Sequence, residues 1–207
     1  MESNPDEAKE TYAKPLGQKM WSTYGASYRA AKRLKRKDHL SIIAISFLST
    51  YVIVLNLLQI YPFLPTTDYE RTLYSFISIV ASLFIIVLTL LETGQNYQLR
   101  SERLRNRARE IKILHNELQE IGLRALQDKD QAIHDLSIKY NELLRSGPEN
   151  HDDIDYRSFK AMNRHIFRIN IVHAYAILLW TTLSPNILYI LMIIGPPLAF
   201  LFTFSSR

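Results

Sequence analysis

Two uncharged runs constrain this chain more than any other feature. Leu40–Thr67 contains no Asp, Glu, Lys or Arg, and neither does Thr72–Leu91; the charges between them are Asp68, Glu70 and Arg71. An α-helix needs about 20 mainly apolar residues to cross the hydrocarbon core of a bilayer. Leu40–Tyr61 and Thr72–Leu91 are each of that length. In lipid the backbone must satisfy its own hydrogen bonds, so spans of this kind are helical. The runs predict a transmembrane helical hairpin with spans at 40–61 and 72–91. Pro62 and Pro65 are expected to end the first helix, because proline lacks the amide proton and disfavours helical geometry in the residue before it.

Positive charge sets the expected orientation. Lys32, Arg33, Lys35, Arg36 and Lys37 precede the first span, and Arg100, Arg103, Arg105, Arg107 and Arg109 follow the second, whereas the bend holds Arg71 alone. The positive-inside rule puts both flanks and the N-terminus in the cytoplasm and Pro62–Arg71 outside the cell membrane. Tyr61, Phe63 and Tyr97 suit the headgroup level.

With 207 residues, 47% of them hydrophobic and blocked in this way, the chain reads as a small multi-pass membrane protein. Its lack of cysteine excludes disulfide scaffolds, cysteine nucleophiles and thiolate metal sites. The net charge of +5 sits beside the spans, where it directs topology and meets anionic lipid, so nucleic acid is not the expected partner. The 39 residues before the first run are mostly polar and do not read as a signal peptide. No nucleophile–base pair, glycine-rich phosphate loop or metal signature is visible, so neither an enzyme nor a cofactor is expected. Ser146–Asp155 holds one histidine and several carboxylates without EF-hand spacing. They read as turn and cap residues, with Asp155 capping the next helix.

Residues 1–19 are polar, contain two prolines and are expected to be a flexible tail. From Met20, the residues Trp21, Tyr24, Tyr28 and Ala31 form an aromatic stripe at helical spacing. It either lies on the inner membrane surface or packs on the protein's own helices. Ser46, Ser49 and Asn56 share a face of the first span, and Ser75, Ser78, Ser82 and Thr89 share one of the second. Two readings stand: these faces let helices approach closely and hydrogen-bond, or they line a water-filled path between assembled copies. Ser49, Asn56, Gln59, Ser78 and Ser82 are the candidates for either role.

Past Gly94, helices are expected over 95–147. Ile111, Leu114, Leu118, Ile121 and Ala125 form one seam, and Ile133, Leu136, Tyr140 and Leu143 a second. Together they suggest a cytoplasmic helical hairpin. The first is an assembly seam whose partner, within the chain or in another copy, the spacing leaves open. Ile169–Ser206 is free of Asp, Glu, Lys and Arg for 38 residues. Interruptions at Ser184-Pro185-Asn186 and Gly195-Pro196-Pro197 favour a second membrane hairpin within 161–207. The alternative is one span preceded by an interfacial helix, with His173 and Trp180 facing headgroups. The expected fold is therefore an all-α membrane protein: a transmembrane helical hairpin, a cytoplasmic helical hairpin and a C-terminal apolar helical region.

Trp21-Ser22-Thr23-Tyr24-Gly25-Ala26 with the basic run after it, Leu91-Glu92 and Asn96-Tyr97-Gln98-Leu99-Arg100 after the second span, and Tyr140-Asn141-Glu142-Leu143 leading to Glu149-Asn150-His151 occur in that order around the hairpin. Over about 20–160 this arrangement resembles the SLATT family of two-helix membrane effectors from bacterial conflict systems. The resemblance implies an oligomeric effector that permeabilises the inner membrane when a neighbouring sensor is triggered, as antiviral cell suicide. It also implies nucleotide-signal synthases, nucleotide sensors or reverse transcriptases as partners. The other class left open is a passive membrane scaffold that docks a cytoplasmic partner.

Overall fold

The computed structural model describes residues 5–60, 67–123, 128–147 and 149–205. Among them the helices are α1 (Pro5–Ile60), α2 (Asp68–Gly94), α3 (Tyr97–Leu123), α4 (Lys129–Arg145), α5 (Asp153–Met162), α6 (Arg164–Phe167), α7 (Ile171–Leu183) and α8 (Ile187–Ser205), and no strand is present. The all-α expectation holds. The expected helix-ending Pro62 and Pro65, with Tyr61 and Phe63, lie outside the described residues, as do Ala125 and Pro148. Three helical runs are long and apolar enough to cross a membrane: Ala13–Ile60, Asp68–Leu123 and Ile171–Phe202.

The chain forms two compact units, and α1 contributes to both. The first comprises residues 1–35 and 98–182. Its core joins Leu16 and Met20 of α1, Ile111, Leu118 and Ile121 of α3, and Ile133, Leu136 and Tyr140 of α4, with Leu114 and Leu143 packed against them. Leu16 and Met20, one turn apart, are both buried. The segment read as a polar tail is thus helical from Pro5, and from Leu16 it carries core residues. Proline at a helix start costs no hydrogen bond, so Pro5 is no obstacle, and a single leucine among polar residues gives no period to read.

Around this core, charged side chains tie distant segments together. Arg33 donates to both carboxylate oxygens of Asp155, Nε to Oδ1 at 2.8 Å and Nη2 to Oδ2 at 2.9 Å, and its Nη2 reaches Asp152 at 2.6 Å. The Asp155 carboxylate also accepts the Asp152 amide at 3.0 Å. Asp152 is the N-cap of α5 and Asp155 its reciprocal partner at N3, so the cap lies three residues before the expected one. Arg107 donates to the carbonyls of Leu144 and Glu149, fastening the end of α4 to the loop after it. The loop's carboxylates therefore serve ion pairs and caps: Glu149 accepts from Arg100 at 3.1 Å.

The second unit comprises residues 36–97 and 183–207. Thr67 and Glu70 form a capping box that starts α2 at Asp68, four residues before the expected span. Tyr74, Ser78, Ala81, Ile85, Leu88 and Glu92 of α2 are each buried or half-buried and recur at alternating four- and three-residue steps, the period of a helix-packing seam. Between α2 and α3 the helix breaks at Asn96, which is left-handed at φ 49°, so the Asp68–Leu123 run is made of two helices.

Ser184–Asn186 is a 3-10 turn flanked by right-handed helical Leu183 and Ile187. Through it α7 and α8 together make the apolar helical run Ile171–Phe202, 32 residues long. Pro185 sits at the start of a helical segment, where its missing donor is harmless.

Candidate functional site: the apolar bundle and its polar residues

Ala44 of α1, Leu88 of α2, and Tyr189 and Met192 of α8 form the buried core of the second unit, with Leu40, Ile45, Leu48 and Ile193 around it. The third apolar helix is thus packed on the hairpin. Two tyrosines hold it there. Pro197 has no amide proton to give the carbonyl four residues earlier, which is that of Ile193; Tyr51 Oη donates to that carbonyl at 2.7 Å. A helix can carry proline in lipid when a neighbour replaces the lost donor, and Tyr51 does so for Pro197 within α8. On α2, the Glu92 carboxylate accepts from Tyr189 Oη at 2.7 Å. Lys37 Nζ lies 4.7 Å from the Tyr97 ring centroid.

The candidate polar residues divide by position. Ser78 is buried, 4% exposed, with no hydrogen bond to its hydroxyl, as suits a small residue in a packing seam. Ser49 and Ser82 are half-buried and donate to the carbonyls of Ile45 and Ser78 at 2.9 and 2.8 Å. Gln59 joins the two spans, its Oε1 accepting from Ser75 Oγ at 2.7 Å. Asn56 stands apart: it is exposed, with its Nδ2 donating to Val52 O at 2.9 Å. Ser46, Thr50, Ser75 and Thr89 are exposed as well. The outside of this unit is chiefly apolar, with Ile53, Phe76, Ile79, Leu83 and Leu90 all exposed, and these few polar side chains stand among them.

The seam at Ile111, Leu114, Leu118 and Ile121 is filled by α1 and α4 of the same chain. The aromatic stripe also packs internally. Trp21 lies edge-on to Phe159 at 4.7 Å and stacks on Phe167 at 6.0 Å, while Tyr24 meets His115 at 5.6 Å. Burial against this surface raises the Tyr24 pKa above its ordinary value and lowers that of His115. Tyr140 donates to or accepts from Thr23 Oγ1 at 3.0 Å, and burial raises its pKa too. His173 is exposed on α7. Sequence reasoning missed Tyr51 and Tyr189; the signal for Tyr51 was Pro197, which obliges a donor to the Ile193 carbonyl.

A bundle of this kind, apolar on its own surface and free of strands among the described residues, defines an α-helical membrane protein. Residues 9–203 match the family model described as SMODS and SLOG-associating 2TM effector domain family 5. The chain belongs to this family, a branch of the SLATT effectors it resembles in sequence, and is a membrane effector-domain protein. No curated relative and no solved structure matches it.

Proposed function

We propose that this protein is an oligomeric effector that permeabilises the inner membrane, and so halts the cell in bacterial defence, when a partner sensor is triggered. The observation that carries the reading is the placement of polarity in the apolar bundle. Its interior, built on Ala44, Leu88, Tyr189 and Met192, is packed. Asn56 faces outward beside Ile53 and Leu57, which are 59% and 46% exposed. One chain therefore encloses no polar path through these residues, and an amide facing lipid is costly until it finds a partner. Assembly of several copies resolves both points: Asn56, and with it the half-exposed Ser49, Gln59 and Ser82, would line or border the contact between copies. Ser78 is left to pack α2.

The basic flanks support a cytoplasmic N-terminus and helical unit. The family description supports a trigger encoded with SMODS or SLOG proteins, and a nucleotide-signal synthase, nucleotide sensor or reverse transcriptase is the partner class we assign. Asn56→Leu tests the reading. In cells expressing the protein with its trigger, the variant should depolarise the membrane less than the wild type at equal expression and oligomer size. Equal depolarisation would remove Asn56 from the path. Intact potential with the wild-type protein under trigger would leave the scaffold reading in its place.

A further inference from the structure

From Tyr156 to Arg207 the chain contains no Asp or Glu, and residues 157–168 carry Arg157, Lys160, Arg164 and Arg168. This stretch forms an elbow. Helix α5 ends at Met162, α6 makes one turn, and Arg168 turns the chain through a left-handed backbone at φ 52°. Asn170 Oδ1 then accepts the Val172 amide at 3.0 Å as α7 begins. One side of the elbow is anchored. Phe159 and Ala161 are buried, and Phe167 stacks on Trp21. The other side presents Met162 and Ile166, 57% and 63% exposed, interleaved with the cations. Ile171 and Val172 follow at 46% and 73% exposed. Among the described residues no ion pair engages Arg157, Arg164 or Arg168.

Apolar side chains held out from a rigid basic turn, directly before an apolar helix, suit the boundary between headgroups and acyl chains. Arginine presents a planar fork of donors that matches phosphate oxygens, and anionic leaflets attract such clusters. The absence of acidic residues through the whole segment fits no acid-pairing role. We infer that the 157–172 elbow is a docking site for an anionic phospholipid surface. Met162 and Ile166 enter the leaflet, and Arg157, Arg164 and Arg168 hold the phosphate headgroups. This rests on the membrane fold alone and is independent of whether the protein opens a pore.

The chain has no cysteine, so Ile166→Cys gives one spin-labelling site in the full-length protein. Reconstitution is into vesicles of phosphatidylcholine alone or mixed with phosphatidylglycerol, and power saturation compares accessibility to oxygen with that to an aqueous nickel chelate. In the mixed vesicles the label should favour oxygen several-fold. Adding Arg164→Gln and Arg168→Gln should abolish that preference, and Arg164→Lys with Arg168→Lys should restore much of it. A label at Ile113→Cys, exposed on α3 at 58%, should stay nickel-accessible throughout, which ties the change to the elbow, and recovery in the lysine pair shows that the variants fold. A nickel-accessible label at position 166 in both vesicle types overturns the docking. A label equally buried in both types and indifferent to the arginine variants overturns the anionic specificity and with it the proposal.

Discussion

Gly25 offers the sharpest test of how the helical unit is packed. A Cβ at this position would lie 2.1, 2.4 and 2.9 Å from Cε2, Cδ2 and Cζ of the Phe159 ring. Ordinary carbon contacts are about 3.5–4.0 Å, so in Gly25→Ala the ring must withdraw by about 1.5 Å. It has little room: Phe159 is 6% exposed and bordered by Trp21 at 4.7 Å, Phe167 at 6.1 Å and Tyr156 at 6.5 Å. Overpacking costs about 1–3 kcal/mol, and expelling the ring would forfeit a burial worth about 3–5 kcal/mol. Against this stands a gain of about 1 kcal/mol in helix propensity. The net expectation is a loss of about 2 kcal/mol, from the upper end of the overpacking range less the helix gain. Gly17→Ala is the control, because its nearest neighbour, Leu118 Cδ2, would be 3.4 Å away. There only the helix gain of about 0.5–1 kcal/mol should appear. Urea unfolding of the full chain in micelles, followed through Trp21 emission in a Trp180→Phe background, measures both. Gly25→Ala as stable as Gly17→Ala would refute the packing argument, as would an unchanged cost in a Phe159→Leu background.

Other perturbations test separate parts of the account. Asp155→Ala leaves Arg33 its exposed partner Asp152 alone; losing the charge-assisted hydrogen bonds to Asp155 should cost about 1.5–3 kcal/mol, read by the same unfolding assay. Tyr51→Phe removes the donor to the Ile193 carbonyl, and SDS-titration unfolding should show a loss of about 0.6–1.7 kcal/mol, the range for hydrogen bonds between membrane helices. Burial beside Tyr24 lowers the His115 pKa from 6.5 more than its hydrogen bond to Asn116 raises it. The unfolded chain therefore binds the proton more readily, so stability is full above 6.5 and declines as the pH falls through that value. His115→Gln should flatten this acid limb of the unfolding midpoint, and an unchanged limb would remove His115 as its source.

The spans were legible because lipid tolerates no charge over a run of this length, and Leu40 and Leu91 mark where charge stops. The seam at Ile111, Leu118 and Ile121 was legible from spacing, but its partner was not. Spacing shows that a face is buried and not against what, and here it is α1 and α4. The basic run before the first span read as a topology signal, yet Arg33 also pairs with Asp155, 122 residues away; separation on that scale leaves no local mark. Gly195-Pro196-Pro197 read as a break because proline breaks helices whose lost donor nothing replaces. Tyr51 replaces it, from another helix. Asn56 and Gln59 stand out in the sequence as the most polar side chains of their span, but spacing does not separate the two. Gln59 turns to Ser75 and Asn56 turns outward.

Dye release from vesicles carrying the purified full-length protein tests the central claim most directly, measured as the protein-to-lipid ratio is raised in the presence of its triggering partner. Assembly of copies into a path predicts release that climbs with a power of the ratio well above one, and that weakens in Asn56→Leu without loss of incorporated protein. Vesicles that stay sealed at every ratio, with the partner bound, would contradict it.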